Sequence, residues 1–122
     1  MNRKYLHIIM YRAMDSIYDR LENPPEELIL FLSDANPYIW DDRTAADPAL
    51  QSDFDAAMDE QNIGAEVEAA TAYRAVKNFL ADQYLHYAAL VSTPSRSFDE
   101  LFEEITPEDW KKIYADVADE ES

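Results

Sequence analysis

The sequence of 122 residues contains no cysteine and one glycine, Gly64. Without cysteine, the chain has no disulfide framework, no thiolate metal site and no cysteine nucleophile. A single glycine cannot build the glycine-rich loops that cradle nucleotide phosphates. The sequence also lacks the several Gly or Asn-Gly steps that tight β-hairpin turns need. These absences exclude the common nucleotide-binding motifs and disfavour a β-rich fold.

Long apolar runs are also missing. The longest run, Leu28–Leu32, has five residues, whereas a membrane-spanning helix needs about 20. The basic start, Met1–Lys4, resembles the start of a signal peptide, but charged residues interrupt the segment that follows it. We therefore expect a cytoplasmic protein that has no membrane partner.

Basic residues are scarce: the sequence contains 10 Lys and Arg and 26 Asp and Glu, which gives a net charge of −16. Most of the acidic residues lie in two blocks, residues 21–72 and 99–122. A field of this sign repels nucleic acid and anionic lipid surfaces. We expect that neither binds the protein directly.

The remaining composition is that of a folded domain, with 48% hydrophobic and 30% charged residues. A chain of this length has room for one hydrophobic core. We therefore predict a single domain over residues 1–122, in which the acidic end, residues 118–122, is a frayed tail.

Apolar residues recur at spacings of three and four, which predicts amphipathic helices. The first helix covers about residues 2–22. Asn23 and the prolines after it predict the start of a second helix, which ends at Asn36 because Pro37 follows. This second helix contains the run Leu28–Leu32 and is apolar all round, so we predict that it is central and largely buried.

The second half of the chain also shows the spacing of amphipathic helices. We predict a third helix from Pro48 to a left-handed stop at Asn62–Gly64, and a fourth helix over 65–91 as the spine of the domain. Two short helices follow Ser97 and Thr106, each of which begins a sequence resembling a capping box. The prediction is an all-α, compact bundle of five to six helices with one ordered loop near residues 37–46.

This loop shows no clean period and contains three large apolar residues, which we expect to pin it. They are Tyr38, Ile39 and Trp40. Most other aromatic residues fall on apolar helical faces, and we predict that Phe31, Phe54, Phe79 and Trp110 are buried. Tyr38, Trp40 and Tyr87 are less committed to the core and are the aromatic residues left as candidates for surface contact.

Motifs that would carry metal or cofactor chemistry are not found. Neither histidine has a glutamate three residues before it, as di-iron helix bundles require. The sequence Asp34-Ala35-Asn36 runs into Pro37 without the glycine of a calcium loop. We predict no cofactor and no metal site.

Candidate catalytic groups have simpler explanations. Asp82 and His86 are four residues apart, which predicts an ion pair on a helix surface. His7 lies beside an apolar face, where packing is the usual role. Asp41 and Asp42 form the best local pair of carboxylates, but such pairs are frequent among 26 acidic residues. We predict that the protein is not an enzyme.

Charge and aromatic content together predict a non-enzymatic acidic domain that binds a protein with a basic surface. An inhibitor or an immunity-type protein would use its carboxylates in place of the phosphates that a nuclease or toxin binds. Exposed aromatic residues would anchor the partner and carboxylates would steer it. The predicted partner-binding residues are Tyr38, Trp40, Asp41, Asp42, Asp53, Asp55, Asp59 and Glu60.

The alternative is a self-associating structural or regulatory module, for instance a homodimer. The first helix carries several basic residues that could meet the acidic block 41–60, within one chain or between two. They are Arg3, Lys4, Arg12 and Arg20. An acidic composition also suits a protein whose charges only keep it soluble.

Overall fold

The computed structural model describes all residues, 1–122, and consists of six α-helices without a β-sheet. A short 3₁₀ turn, Arg3–Tyr5, precedes the first helix. The helices are α1 (Leu6–Arg20), α2 (Glu26–Ala35), α3 (Pro48–Glu60), α4 (Ala69–Ala88), α5 (Phe98–Phe102) and α6 (Pro107–Glu121). This architecture confirms the predicted all-α bundle. None of the helices combines the length and the apolar character needed to cross a membrane.

Helices α1 and α4 form the centre of the bundle. Helix α1 buries eight of its 15 residues, and α4 contacts each of the other five helices, as expected of a spine. The prediction that α2 is the central helix was wrong. One side of α2 faces solvent through Glu26, Ile29 and Ser33, because its neighbours α1, α3 and α4 cover only the opposite side.

Aromatic side chains fill the core, which is one cluster of 28 buried apolar residues. The rings of Phe31 and Phe98 lie 5.0 Å apart and join α2 to α5. Tyr73 of α4 stacks on Phe102 at 4.5 Å and meets Trp110 edge to face at 5.7 Å. The four aromatic residues predicted to be buried are buried: Phe31, Phe54, Phe79 and Trp110.

Tyr87 is buried too, so it belongs to the core and is no longer a candidate for surface contact. Its ring packs against Phe31 and Phe98, and its hydroxyl donates to Oδ2 of Asp34 at 2.7 Å. A tyrosine near the end of a helix can reach outward or inward, and here the partner for its hydroxyl lies inside the bundle.

Helix ends differ from the prediction where distant segments meet. The main-chain N–H of Val67 donates to Met1, and that of Arg3 donates to Ala65. These contacts hold Glu66 in a β-bridge with Asn2, and α4 therefore begins at Ala69 and not at Ala65. Helix α3 ends at Glu60, and Asn62 just beyond it adopts the left-handed conformation (φ 59°) that we expected of the stop.

The acidic end of the chain is helical and not frayed. Helix α6 continues to Glu121, and its last two carboxylates form ion pairs with Arg12 and Arg43. Contacts with α1 and with the loop before α3 therefore order a segment whose sequence alone favours disorder.

Of the two predicted capping boxes, only the one at Thr106 forms. Its hydroxyl accepts from the N–H of Asp109 at 3.1 Å, and Oδ2 of Asp109 accepts from the N–H of Thr106 at 3.3 Å. The side chain of Ser97 makes no capping hydrogen bond.

Substitution of Thr106 by alanine is expected to lower the free energy of unfolding by about 1 kcal/mol, because a helix N–H loses its acceptor. The matched substitution Ser97→Ala is expected to change it by less than about 0.5 kcal/mol. Urea unfolding followed by circular dichroism measures both. Equal losses in the two variants would contradict the assignment of the cap.

Candidate functional site

The loop between α2 and α3 exposes three consecutive large apolar side chains. Tyr38 is 43% exposed, Ile39 58% and Trp40 50%. Single exposed apolar residues are ordinary, but a contiguous group of them marks an interaction surface. We call residues 37–46 the aromatic loop.

Buried neighbours and hydrogen bonds of two exposed aromatic residues together fix the aromatic loop. The side chains of Tyr38, Ile39 and Trp40, which we expected to pin the loop, are exposed, but Tyr38 and Trp40 still hold it through hydrogen bonds. Pro37 and Ala45 are buried instead. The stems of the loop are joined where the N–H of Ala46 donates to Asn36 at 3.0 Å, and the indole N–H of Trp40 donates to Ala46 at 3.3 Å.

A pair of arginines clamps the loop at Tyr38. The guanidinium carbons of Arg12 and Arg43 lie 5.8 and 5.5 Å from the centre of its ring, within the range of cation–π attraction. Nε of Arg12 also donates to the hydroxyl of Tyr38 at 2.8 Å. The side chain that looks free in the sequence is therefore held in one orientation.

The same arginines connect the loop to the end of α6. Arg12 pairs with Glu120, and this hydrogen bond keeps the pKa of Glu120 below its ordinary value. Nε of Arg43 lies 3.1 Å from Oε1 of Glu121. Arg43 adopts the left-handed conformation (φ 63°), which costs a residue other than glycine about 1–2 kcal/mol. Its contacts with Tyr38 and Glu121 offset that cost.

Two exposed aspartates follow the aromatic residues directly. Oδ1 of Asp42 accepts from the N–H of Thr44 at 3.1 Å and from its hydroxyl at 2.8 Å. These two hydrogen bonds lower the pKa of Asp42, with the hydroxyl as the larger cause. Asp41 is exposed beside it. Trp40 is thus bordered by carboxylates on a fixed turn.

The four acidic residues of α3 that we assigned to the partner-binding patch do not all lie on one face of the helix. Because each helical residue turns by about 100°, Asp53 and Glu60 point to one flank of α3, and Asp55 and Asp59 to another. Asp59 pairs with Arg3, with Nη2 and Oδ1 2.7 Å apart. All four are exposed, but only Asp41 and Asp42 adjoin the three apolar residues in the chain.

The basic start of the chain meets the acidic block within one molecule, through Arg3 and Asp59. Arg12 turns instead to the end of α6. Asp82 and His86 are exposed, and the predicted ion pair between them does not form. His7 is buried, and its Nε2 lies 2.9 Å from the carbonyl oxygen of Ala35, a packing role as expected.

Sequence reasoning missed the clamp around Tyr38. Arg43 carried a signal, since it is the one basic residue between positions 21 and 72 and has acidic residues on both sides of it in the chain. Arg12 carried none, because its partners lie 26 and 108 residues away along the chain.

The groups around the aromatic loop are rings, guanidinium groups and carboxylates. Chemically, this set suits recognition of a cationic surface, with apolar rings to bury and ionised carboxylates to pair. No three histidine or acidic side chains converge as metal ligands in the structure. No protein-family model, curated protein or solved structure matches the chain.

Proposed function

We propose that the protein is a non-enzymatic binding domain that captures a basic protein partner through the aromatic loop. The observation that carries this proposal is the run Tyr38–Trp40, three exposed apolar side chains that two carboxylates follow. Tyrosine and tryptophan are the residues that most often anchor protein interfaces.

Preorganisation of the loop supports the proposal. Association costs free energy when mobile side chains and loops become ordered, and a loop that is already fixed avoids much of that cost. Arg12 and Arg43 hold Tyr38 in place. The partner therefore meets a shaped surface.

Charge supports a basic partner. Asp41 and Asp42 are exposed beside Trp40, and the net charge of −16 attracts cations over a longer range. An inhibitor or immunity-type role follows if the partner is a nuclease or toxin with a phosphate-binding groove. We further propose a cytoplasmic location.

Self-association is the weaker alternative. It would use the basic start of the chain, where Lys4 and Arg20 are exposed, but Arg3 and Arg12 already pair with Asp59 and Glu120 in the same molecule. Those two arginines are therefore not free to bridge copies of the chain.

Affinity capture with elution in a salt gradient tests the proposal. The wild-type protein is expected to retain a basic protein that moderate salt releases, and Trp40→Ala is expected to lose it. Asp41→Asn with Asp42→Asn should slow association measured with the captured partner, more strongly at low salt.

The matched control is Glu100→Gln with Glu104→Gln, which removes two exposed acidic charges far along the chain from the loop. It should capture the partner as the wild type does. Equal capture by all variants, or a stable homodimer in light scattering with no basic partner, would overturn the proposal.

A further inference from the structure

A cavity of about 560 Å³ lies between the starts of α4 and α6. Ala69, Ala70, Tyr73 and Pro107 form its apolar wall, with Trp110 behind them. The hydroxyl of Tyr73 donates to main-chain carbonyls inside the bundle, and the indole N–H of Trp110 donates to Ala69 at 3.1 Å. The aromatic rings therefore present apolar surface and no free polar group to the cavity.

Cations surround this cavity although the protein is strongly acidic. Arg74 and Lys77 reach it from α4, and Lys111 reaches it from α6. Four of the ten basic residues form ion pairs with Asp or Glu side chains. Arg74 and Lys111 are not among them, and both are exposed. Two unpaired cations from neighbouring helices thus meet at one apolar cavity.

The charge balance of the cavity indicates the ligand. Lys77 is neutralised by Glu103, with Nζ and Oε1 2.6 Å apart. Glu68 lies on the rim and offsets one of the two remaining cations. One positive charge is left over, which matches a single negative charge on a ligand. Ligands with several negative charges, such as nucleotides, would meet the repulsion of the whole protein.

We propose that this cavity binds a small planar aromatic monocarboxylate. Its ring would lie against Tyr73 and Pro107, and its carboxylate between Arg74 and Lys111, where the arginine fork fits both oxygens. Cavities of about 300–1,000 Å³ hold small organic ligands. This site goes beyond the proposed function, since it lies about 20 Å along α6 from the end that holds the aromatic loop.

Nuclear magnetic resonance with 2-naphthoate as the probe tests the proposal. The chain has two tryptophans, so two indole N–H signals report on two places. The Trp110 signal and the amides of Ala69 and Ala70 are expected to shift and to saturate. The Trp40 signal, on the aromatic loop, is expected to stay and serves as an internal reference.

Two variants test separately how charge and shape contribute to binding of the carboxylate. Arg74→Gln with Lys111→Gln is expected to weaken binding at least roughly tenfold, because the carboxylate loses its charged donors. Ala70→Phe is expected to abolish binding by filling the cavity without a change of charge. The matched control, Arg96→Gln with Lys112→Gln, removes two unpaired exposed cations elsewhere and should bind as the wild type does.

The neutral analogue 2-naphthalenemethanol is expected to bind at least roughly tenfold more weakly than the carboxylate. Absence of a saturable shift at Trp110 would overturn the proposal. So would equal binding of the acid and the alcohol, or binding that both variants leave unchanged while circular dichroism shows them folded.

Discussion

Replacement of Trp110 by alanine is expected to lower the free energy of unfolding by about 3–5 kcal/mol. The side chain is 1% exposed, and its ring contacts Tyr73 at 5.7 Å and Phe102 at 5.6 Å. The substitution leaves a cavity between α4 and α6, and the carbonyl of Ala69 loses the indole donor. Small domains are stable by only about 5–15 kcal/mol, so this loss is a large part of the total.

The other tryptophan provides the control. Trp40 is 50% exposed, and its alanine variant is expected to change the free energy of unfolding by less than about 0.5 kcal/mol. Urea unfolding of both variants, followed by circular dichroism so that loss of an indole does not alter the signal, measures the difference. Similar losses for the two substitutions would contradict the placement of one tryptophan in the core and the other at the surface.

The burial of Trp110 was predictable because it follows from the spacing of apolar residues within a few positions of it in the sequence. The sequence spaces Trp110, Ile113, Tyr114 and Val117 at helical intervals, which places them on one face of α6, and Thr106 marks the start of that helix. Both kinds of signal depend on residues within a few positions of each other. The all-α class and the identity of six helices follow from signals of this range.

Helix boundaries were harder because they depend on contacts between distant segments. The start of α4 is set by Met1 and Val67, which pair across the bundle. The burial of Glu27 likewise depends on a contact with a distant segment. This glutamate looks like an ordinary first-turn acid, yet it is buried, and its Oε2 accepts from the N–H of Ser95 at 2.6 Å. Nothing near Glu27 in the sequence indicates that contact.

The candidate site was predictable in part. The irregular pattern after Asn36 located the aromatic loop, and the exposure of Tyr38 and Trp40 agrees with the surface role expected of them. The separation of Asp53 from Asp55 on α3 could have been predicted, since neighbours two positions apart on a helix point in nearly opposite directions. The clamp around Tyr38 could not be predicted, because Arg12 belongs to α1 and lies 26 residues away along the chain.

The stability of the protein is expected to fall on acidification because of His7. This side chain is 4% exposed, packs edge to face on Phe54 at 5.8 Å and donates from Nε2 to Ala35. Burial lowers the pKa of His7, although the carbonyl groups of Ala35 and Arg43 and the charge of Asp55 act in the opposite direction. The folded state therefore holds His7 neutral at a pH where the unfolded chain is already protonated.

The sign of the effect follows from proton linkage. As the pH falls below about 6.5, His7 binds a proton in the unfolded chain but not in the folded state. The free energy of unfolding therefore falls with a slope of at most about 1.4 kcal/mol per pH unit. The loss ends below the folded-state pKa of His7. Urea unfolding at pH values from 7.5 to 5 measures this slope for the wild type.

The variant His7→Gln separates this effect from the titration of the acidic residues, because a glutamine amide can donate to Ala35 but takes up no proton. Its free energy of unfolding is expected to fall less steeply than that of the wild type between pH 6.5 and the folded-state pKa of His7. Parallel curves would show that His7 binds its proton equally in both states. The carbonyl groups and Asp55 would then balance the cost of burial, and the imidazolium would be held under the aromatic loop at low pH.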